Sequence, residues 1–259
     1  MPAADQIAGW LAAAEHAVAF TGAGISTESG IPDFRSPGGI WTRYRTIYFQ
    51  EFLASDEARR EYWQQKAEGQ LDFGRAEPNV GHRALADWER AGRLQAVITQ
   101  NIDGLHTRAG NRRALELHGT AREVSCLDCH TRYDAEEMVA QFKQSGHVPA
   151  CRACGSGLMK HATISFGQQL SPDLLHEAFA LCRAADLFLA IGSSLVVEPA
   201  ASMPRTAKQW GARLVIINRD PTPLDTQADL VVHEPIGEIL AAIDGHLREM
   251  EAGQTPPGA

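Results

Sequence analysis

A short strand, Leu115-Glu116-Leu117, delivers His118 and Gly119 at its end. Histidine's ordinary pKa suits proton transfer near neutrality, so a histidine presented in this way is a candidate general base. A second constellation, Thr99-Gln100-Asn101-Ile102-Asp103-Gly104-Leu105-His106, follows directly on the apolar run Leu94–Ile98. An amide pair and a carboxylate at a strand end lie where an α/β sheet builds its site. A third begins Thr21-Gly22-Ala23-Gly24-Ile25-Ser26. Glycine after a strand lets the backbone turn tightly and approach a pyrophosphate, whose charge then meets a helix N-terminus. By itself Gly-Ala-Gly also fits an ordinary strand-to-helix turn, and Thr27 stands where the dinucleotide fingerprint has its third glycine. The continuation Asp33-Phe34-Arg35 adds an acid, an aromatic ring and a cation in one loop, stiffened by Pro32 and freed by Gly38 and Gly39. Gly192-Ser193-Ser194 and Asn218-Arg219-Asp220 end two further apolar runs. Their hydroxyl, amide and carboxylate groups suit a phosphate and a ribose, or equally the caps of following helices.

Cysteine usage gives a different chemistry. The chain has 5 cysteines, an odd number and too few for a disulfide scaffold. Cys126-x2-Cys129 is followed after 21 residues by Cys151-x2-Cys154. Two such knuckles fit a closed, tetrahedral, structural Zn²⁺ site with four thiolate ligands, with two redox pairs as the alternative. Cys182 sits in an apolar helical stretch and reads as a core residue.

The elements that must position these groups alternate. Continuously apolar strands are expected at Ala17–Thr21, Leu94–Thr99, Asp186–Ile191, Arg213–Asn218 and Asp229–Val232. Helical patterns lie at Ala4–Glu15, Val80–Ala91, Pro172–Ala184 and Ile236–Met250. Buried strands alternating with helices predict an α/β, doubly wound, Rossmann-like parallel sheet. Residues 1–32, 76–121 and 163–250 are assigned to it. Residues 33–75, aromatic and charged, and 122–162, holding the knuckles, break the alternation. They are read as a helical module and a zinc-ribbon module that together form a smaller lobe roofing a cleft. Residues 251–259 are expected to be a disordered tail.

The 259 residues are 44% hydrophobic and 22% charged, enough for a sizeable core. A net charge of −8 argues against nucleic-acid binding by a broadly basic surface. No apolar run approaches a membrane span, and the N-terminus has no signal-peptide pattern. The expectation is a soluble cytoplasmic protein.

Taken in order, the glycine loop at 22–26, Gly30-Ile31-Pro32-Asp33-Phe34-Arg35, Gln100-Asn101-Ile102-Asp103, His118-Gly119, the four cysteines and Gly192-Ser193-Ser194 resemble the sirtuin family of NAD-dependent protein deacylases. The resemblance runs from about residue 8 to about residue 240. It implies that acyl-lysine protein substrates and NAD, as co-substrate, meet in a cleft between the two lobes. His118 would activate the NAD ribose, with Asn101 and Asp103 completing the catalytic set. Ile102 and Asp103 would hold the nicotinamide carboxamide, Gln100 the nicotinamide ribose, and Phe34 would shield the ribosyl cation. Arg35 would face the phosphates, and Ser193, Asn218 and the backbone near Ile236 the adenosine half. Gly22, Ala23, Gly24, Ser26, Thr27, Asp33, Trp41, Gly192, Ser194, Arg219 and Asp220 complete the implied cofactor set.

On the substrate side the resemblance assigns Tyr62, Gln65, Ile164, Phe166, Gly167, Leu195, Val196 and Val197. Relatives carry Pro-x-Val-Val-x-Phe-Gly-Glu where this chain reads His161-Ala162-Thr163-Ile164-Ser165-Phe166-Gly167-Gln168. Relatives that favour succinyl-lysine carry Tyr-x-x-Arg, whereas here Tyr62 is followed by neutral Gln65. With Lys66 expected on another helix face, an acetyl or longer uncharged acyl chain is anticipated. The rival uses of such a site are mono-ADP-ribosyl transfer and NAD hydrolysis. A dehydrogenase does not account for the missing glycine or the Asn-x-Asp and His-Gly pairings, nor a zinc-ribbon interaction module for the intact Asn101, Asp103 and His118.

Overall fold

The structure, a computed structural model, describes residues 2–36 and 38–254. Trp41 belongs to the backbone described, but its side chain, like those of 70–73, 253 and 254, lies outside it; so do residues 255–259 of the expected tail.

Strands β1 (Ala17–Thr21), β2 (Ala96–Thr99) and β3 (Ala114–Glu116) come first, followed by β4 (Gly119–Cys126), β5 (Arg132–Asp134) and β6 (Met159–Thr163). Strands β7 (Leu187–Ile191), β8 (Arg213–Ile217) and β9 (Leu230–Val232) close the series. The first three and last three form one parallel sheet in the order β3-β2-β1-β7-β8-β9. Every residue of β1, β2 and β7 is buried, as a strand covered on both faces requires. The order reverses between β1 and β7, so the carboxyl ends of these two strands open a crevice.

Helices α1 (Pro2–Ala13), α2 (Ile40–Arg43), α3 (Phe49–Ala54), α4 (Asp56–Gly74) and α5 (Val80–Arg90) precede α6 (Leu105–Ala109) and α7 (Ala135–Ser145). Helices α8 (Pro172–Ala184), α9 (Ser202–Gln209) and α10 (Ile236–Gln254) follow. One face of the sheet packs Leu85, Trp88, Leu240 and Ile243 from α5 and α10 with Ile7 and Leu11 from α1. The other packs Phe20, Ile98 and Phe188 under Leu181 and Met203 from α8 and α9. A separate core joins Phe52 and Trp63 of α3 and α4 to Met138 and Phe142 of α7 and Met159 of β6. The helical segment and the cysteine-bearing segment thus share one interior, roofed onto the antiparallel sheet β5-β4-β6.

Four departures from the sequence reading have physical reasons. The boundaries drawn at 121/122 and 162/163 fall inside β4 and β6, which pair Gly119 with Thr163 and shift register before Val124. The two lobes are joined there by a hydrogen-bonded ladder instead of a linker. Helix α10 runs to Gln254, with Glu251 paired to Arg93 at 2.7 Å, so residues 251–254 do not belong to a tail. Ala23–Ser29 forms a 3₁₀ turn closed by left-handed Gly30, not the start of an α-helix. Helices α7 and α9 lie where no helical pattern was assigned. Among the described residues no helix is long and apolar enough to cross a membrane.

Candidate active site

At the β1/β7 crossing the chain needs glycine. A Cβ on Gly22 would lie 2.7 Å from the Gly192 carbonyl oxygen, and one on Gly24 would lie 2.7 Å from Gly192 Cα. Gly192 itself has φ 64°, in the left-handed region. These absences of side chain let Gly24 N–H reach the Gly192 carbonyl at 2.8 Å and bring two strand ends into direct contact. The cleft that opens above them has a volume of about 780 Å³. Gly22, Ala23, Gly24 and Thr27 line it from the first loop, and Gly192, Ser193 and Ser194 from the second.

Asp33, Phe34 and Arg35 form a further wall. Burial favours the neutral Asp33 carboxyl, but the Ser36 hydroxyl and the Ser36 and Arg35 N–H groups all donate to it and hold it below its ordinary value. Arg219 Nη2 donates to Ser36 Oγ at 3.1 Å, tying this loop to the end of β8. Asn218, Arg219, Asp220 and Ile236 line the same end of the cleft. Gln100 Nε2 donates to Ser193 Oγ at 2.7 Å, joining the β2 and β7 ends across the floor.

His118 and Asn101 supply the reactive character. His118 Nδ1 lies 2.9 Å from the Gln100 carbonyl oxygen, which can only accept, so the proton sits on Nδ1 and Nε2 keeps its lone pair. Burial lowers the pKa of this imidazole, and the Gln100 carbonyl opposes the shift. The Asn101 amide nitrogen donates to the Gly22 carbonyl and to Ser26 Oγ, both at 3.1 Å. That pins its orientation and leaves Oδ1 as the acceptor facing the cleft, with Ile102 beside it.

Asp103 and Ser26 are placed differently from the sequence reading. Asp103 is 4% exposed and stands behind the cleft wall. Its oxygens accept from Ser26 Oγ at 2.7 Å and from Leu105 N–H at 2.9 Å. Turning it out toward a carboxamide would leave both donors unpaired in the interior. Ser26 is likewise enclosed, and binds Asp103 and Asn101 instead of lining the cleft. Leu195, at φ 53°, is buried in the sheet's second core, and Val196 is half exposed outside the cleft wall, whereas Val197 lines it. Tyr62, Gln65, Ile164, Phe166 and Gly167 all reach the cleft.

The sequence reading missed several contributors. His106 Nε2 donates to Thr21 Oγ1 at 2.9 Å, since the Thr21 hydroxyl is spent on Thr99 Oγ1 at 2.8 Å. Thr99 Oγ1 in turn accepts from Asn101 N–H at 3.0 Å. Burial drives His106 to about 3 and His82, beside Ser26, to about 4, so both stay neutral supports. Lys66 lines the cleft beside Tyr62, together with His161. Its expected position on another face is corrected below.

The four cysteines converge, with all Sγ atoms within 4.8 Å of one another and the closest pairs 3.6 Å apart. A tetrahedron with Zn–S bonds of about 2.3 Å requires sulfurs roughly 3.8 Å apart, so these thiols fit the ion. They leave no open coordination position and lie in the small lobe, outside the cleft wall.

The Sir2 family model matches residues 22–199. NAD-dependent protein deacetylase 1 of Bradyrhizobium diazoefficiens is 51% identical over 244 residues, which cover 93% of this chain and 95% of that protein. NAD-dependent protein deacylase 2 of Archaeoglobus fulgidus is 44% identical over 242 residues, covering 93% and 95%. The fold matches a Sir2 complex with a p53 peptide and NAD+ at a TM-score of 0.84 and 37% identity, covering 97% of this chain and 98% of that one. It matches Sir2Af2 bound to a myristoylated histone peptide at a TM-score of 0.80 and 38% identity, covering 98% and 100%. With the family model spanning most of its length and these relatives nearly all of it, the chain belongs to the Sir2 family.

Proposed function

We propose that this protein is an NAD-dependent protein lysine deacylase, acting on acetyl-lysine, that consumes NAD and one water and yields nicotinamide, the free lysine and an O-acyl-ADP-ribose. The observation that carries the reading is the His118 tautomer: Nδ1–H is spent on Gln100, so Nε2 is a base inside the cleft formed at the β1/β7 crossing. NAD is a co-substrate and supplies an electrophilic ribose carbon together with its nicotinamide leaving group. His118 Nε2 accepts the ribose hydroxyl proton as the acyl oxygen is captured. Asn101 Oδ1, held outward by its own donors, orients the polar group opposite it. Phe34 excludes water from the reacting carbon, which is what separates transfer to an acyl oxygen from plain hydrolysis. Asp103 acts by fixing Ser26, and through it Asn101, with no direct contact to substrate.

The glycine loop, Ser193 and Gln100 line the wall on which the ribose and phosphates rest, and Asn218 and Ile236 the adenosine end. The acylated peptide lies between the 164–167 segment and Val197, both of which line the cleft. The fit of all four thiols supports a structural Zn²⁺ that takes no part in the chemistry. Mono-ADP-ribosyl transfer and NAD hydrolysis are the competing uses of the same cleft. Mass spectrometry of an acetyl-lysine peptide incubated with NAD decides between them. O-acetyl-ADP-ribose forming in step with deacetylated peptide supports the deacylase; NAD consumption with an intact acetyl group would overturn it.

A further inference from the structure

The loop that carries Asn101, Ile102 and Asp103 is held from behind by a residue that the mechanism leaves unused. Strand β4 pairs with β6 at Gly119 and again from Val124 to Cys126, and the register shifts in between. In that gap the β4 backbone is released from the ladder and can bond elsewhere. Ala121 N–H donates to the Ile102 carbonyl at 2.8 Å, and Arg122 Nε donates to the Asp103 carbonyl at 2.6 Å. Gly104 makes this approach possible. It lies in the left-handed region at φ 69°, and a Cβ there would stand 2.8 Å from Arg122 Nε and 2.9 Å from its Cδ. The arginine stem therefore rests against backbone that carries no side chain.

The guanidinium is costly where it lies. Its Nη2 is buried and has no hydrogen-bond partner. Burial and Arg108 oppose its charge, which Asp103, Glu116 and Glu136 favour. An unpaired buried donor carries a desolvation cost that an apolar residue at this position would avoid. The surrounding charges show what the cation serves. Burial and then the Asp103 charge push the Glu116 carboxyl up to about 7, and Arg122 opposes that rise. Arg122 thus stands where carboxylates at the ends of β2 and β3 repel each other, with its one hydrogen bond spent on the Asp103 carbonyl.

Asn101, Ile102, Ala121 and His118 line the cleft, whereas Arg122 does not. On the deacylase reading, on which this inference rests, Ile102 borders the nicotinamide beside Asn101 and His118. Arg122 reaches that wall through the Asp103 carbonyl, so it acts on the leaving group by fixing the loop and not by contact. We propose that Arg122 is a positioning residue for the 101–103 loop: anchored from β4, the loop keeps the shape that holds nicotinamide as it leaves and when it returns. The return reverses the first step. The nicotinamide ring nitrogen attacks the ribose carbon, the bond from that carbon to the acyl oxygen breaks, and NAD and acyl-lysine are restored. A loop free to shift binds nicotinamide more weakly, while the peptide side of the cleft, built on the 164–167 segment and Val197, stays as it is.

The test measures inhibition of acetyl-peptide deacylation by nicotinamide, with NAD and peptide each varied, for the wild type and three variants. Arg122→Gln should raise the nicotinamide Ki about tenfold, the scale of one lost charge-assisted hydrogen bond, and change the peptide KM by less than about twofold. Arg122→Lys should keep Ki within about threefold of the wild type, because one donor serves here and not a bidentate pair. Arg122→Met keeps an unbranched stem against Gly104 and removes the unpaired nitrogen, which guards against a Gln variant that fails to fold. Its Ki should rise as the Gln variant's does. Ki and KM do not depend on how much of a preparation is active. An unchanged Ki in the Gln or Met variant would overturn the proposal. So would Ki and peptide KM rising in step, the mark of a general brace at the lobe junction, or a Lys variant no better than Gln. A wild type that turns over no acetyl peptide would instead sink the deacylase reading, and this inference with it.

Discussion

The proton on His118 Nδ1 is fixed by a carbonyl that has nothing to donate, and this decides how the residue responds to pH. A general base works in its unprotonated form. Burial lowers the His118 pKa, so the base stays unprotonated further into acid than a free imidazole does. The acid limb of kcat/KM assigned to this group should therefore have its midpoint below about 6.5, the ordinary histidine value. A midpoint above that value would mean that a different group carries the limb. His118→Ala should reduce deacylation by roughly 10²–10⁴-fold with folding intact, the usual contribution of a positioned acid–base group. Near wild-type turnover in that variant would remove His118 from the mechanism. At this scale the strand-end positions of His118 and Asn101, both on the cleft wall, were legible in the sequence as short strand runs followed by polar residues. The sequence read Asp103 poorly, because nothing in Asn-x-Asp says which of the two side chains turns inward. It misread Lys66 for a geometric reason: residues three and four apart share a helix face, so Gln65 and Lys66 are both neighbours of Tyr62.

Single glycines and cysteines decide how the elements meet. Gly119 begins β4 at φ 70°, and a Cβ there would lie 2.0 Å from the Ala162 carbonyl oxygen. Gly119→Ala should separate β4 from β6 at the lobe junction and displace the adjacent His118. Left-handed strain alone costs on the order of 1–3 kcal/mol, and the clash adds to it. The expected outcome is a lower Tm together with lost activity; an unchanged Tm would mean that the junction relaxes freely. The thiols staple the other end of the same sheet. Cys129→Ser should lose stoichiometric zinc and loosen the core around Trp63 and Met138, lowering activity through the misplaced α4 wall. Protein that retains both stability and activity after chelation would refute a structural ion. The continuously apolar strands were legible because burial on both faces leaves no alternation to misread. Helix α7 was hidden among the knuckles and α9 carries Pro204 within eight residues, so neither offers a sustained period.

Over the whole molecule, the cleft is walled by parts that have separate cores. The glycine loops and Gln100 stand on the parallel sheet, Tyr62 and Gln65 on α4 of the small lobe, and the 33–36 loop bridges them. A ligand touching all three opposes both the opening of the cleft and the unfolding of either lobe. Binding to the native state alone stabilises by RT ln(1 + [L]/Kd), about 2.7 kcal/mol at a hundredfold excess over Kd. For a chain of this size one kcal/mol moves Tm by roughly 2–4 °C, so saturating NAD should raise it by roughly 5–10 °C. Gln100→Ala removes the amide that spans from β2 to Ser193 on the cleft floor and should reduce that rise at the same NAD concentration. ADP-ribose should retain much of the effect, because the phosphate and adenosine walls are built without the nicotinamide end. Scanning fluorimetry with NAD, ADP-ribose and nicotinamide reads all three. A Tm that nicotinamide raises while ADP-ribose does not would place binding outside the glycine-lined half of the cleft and undo the assignment of the cofactor to it.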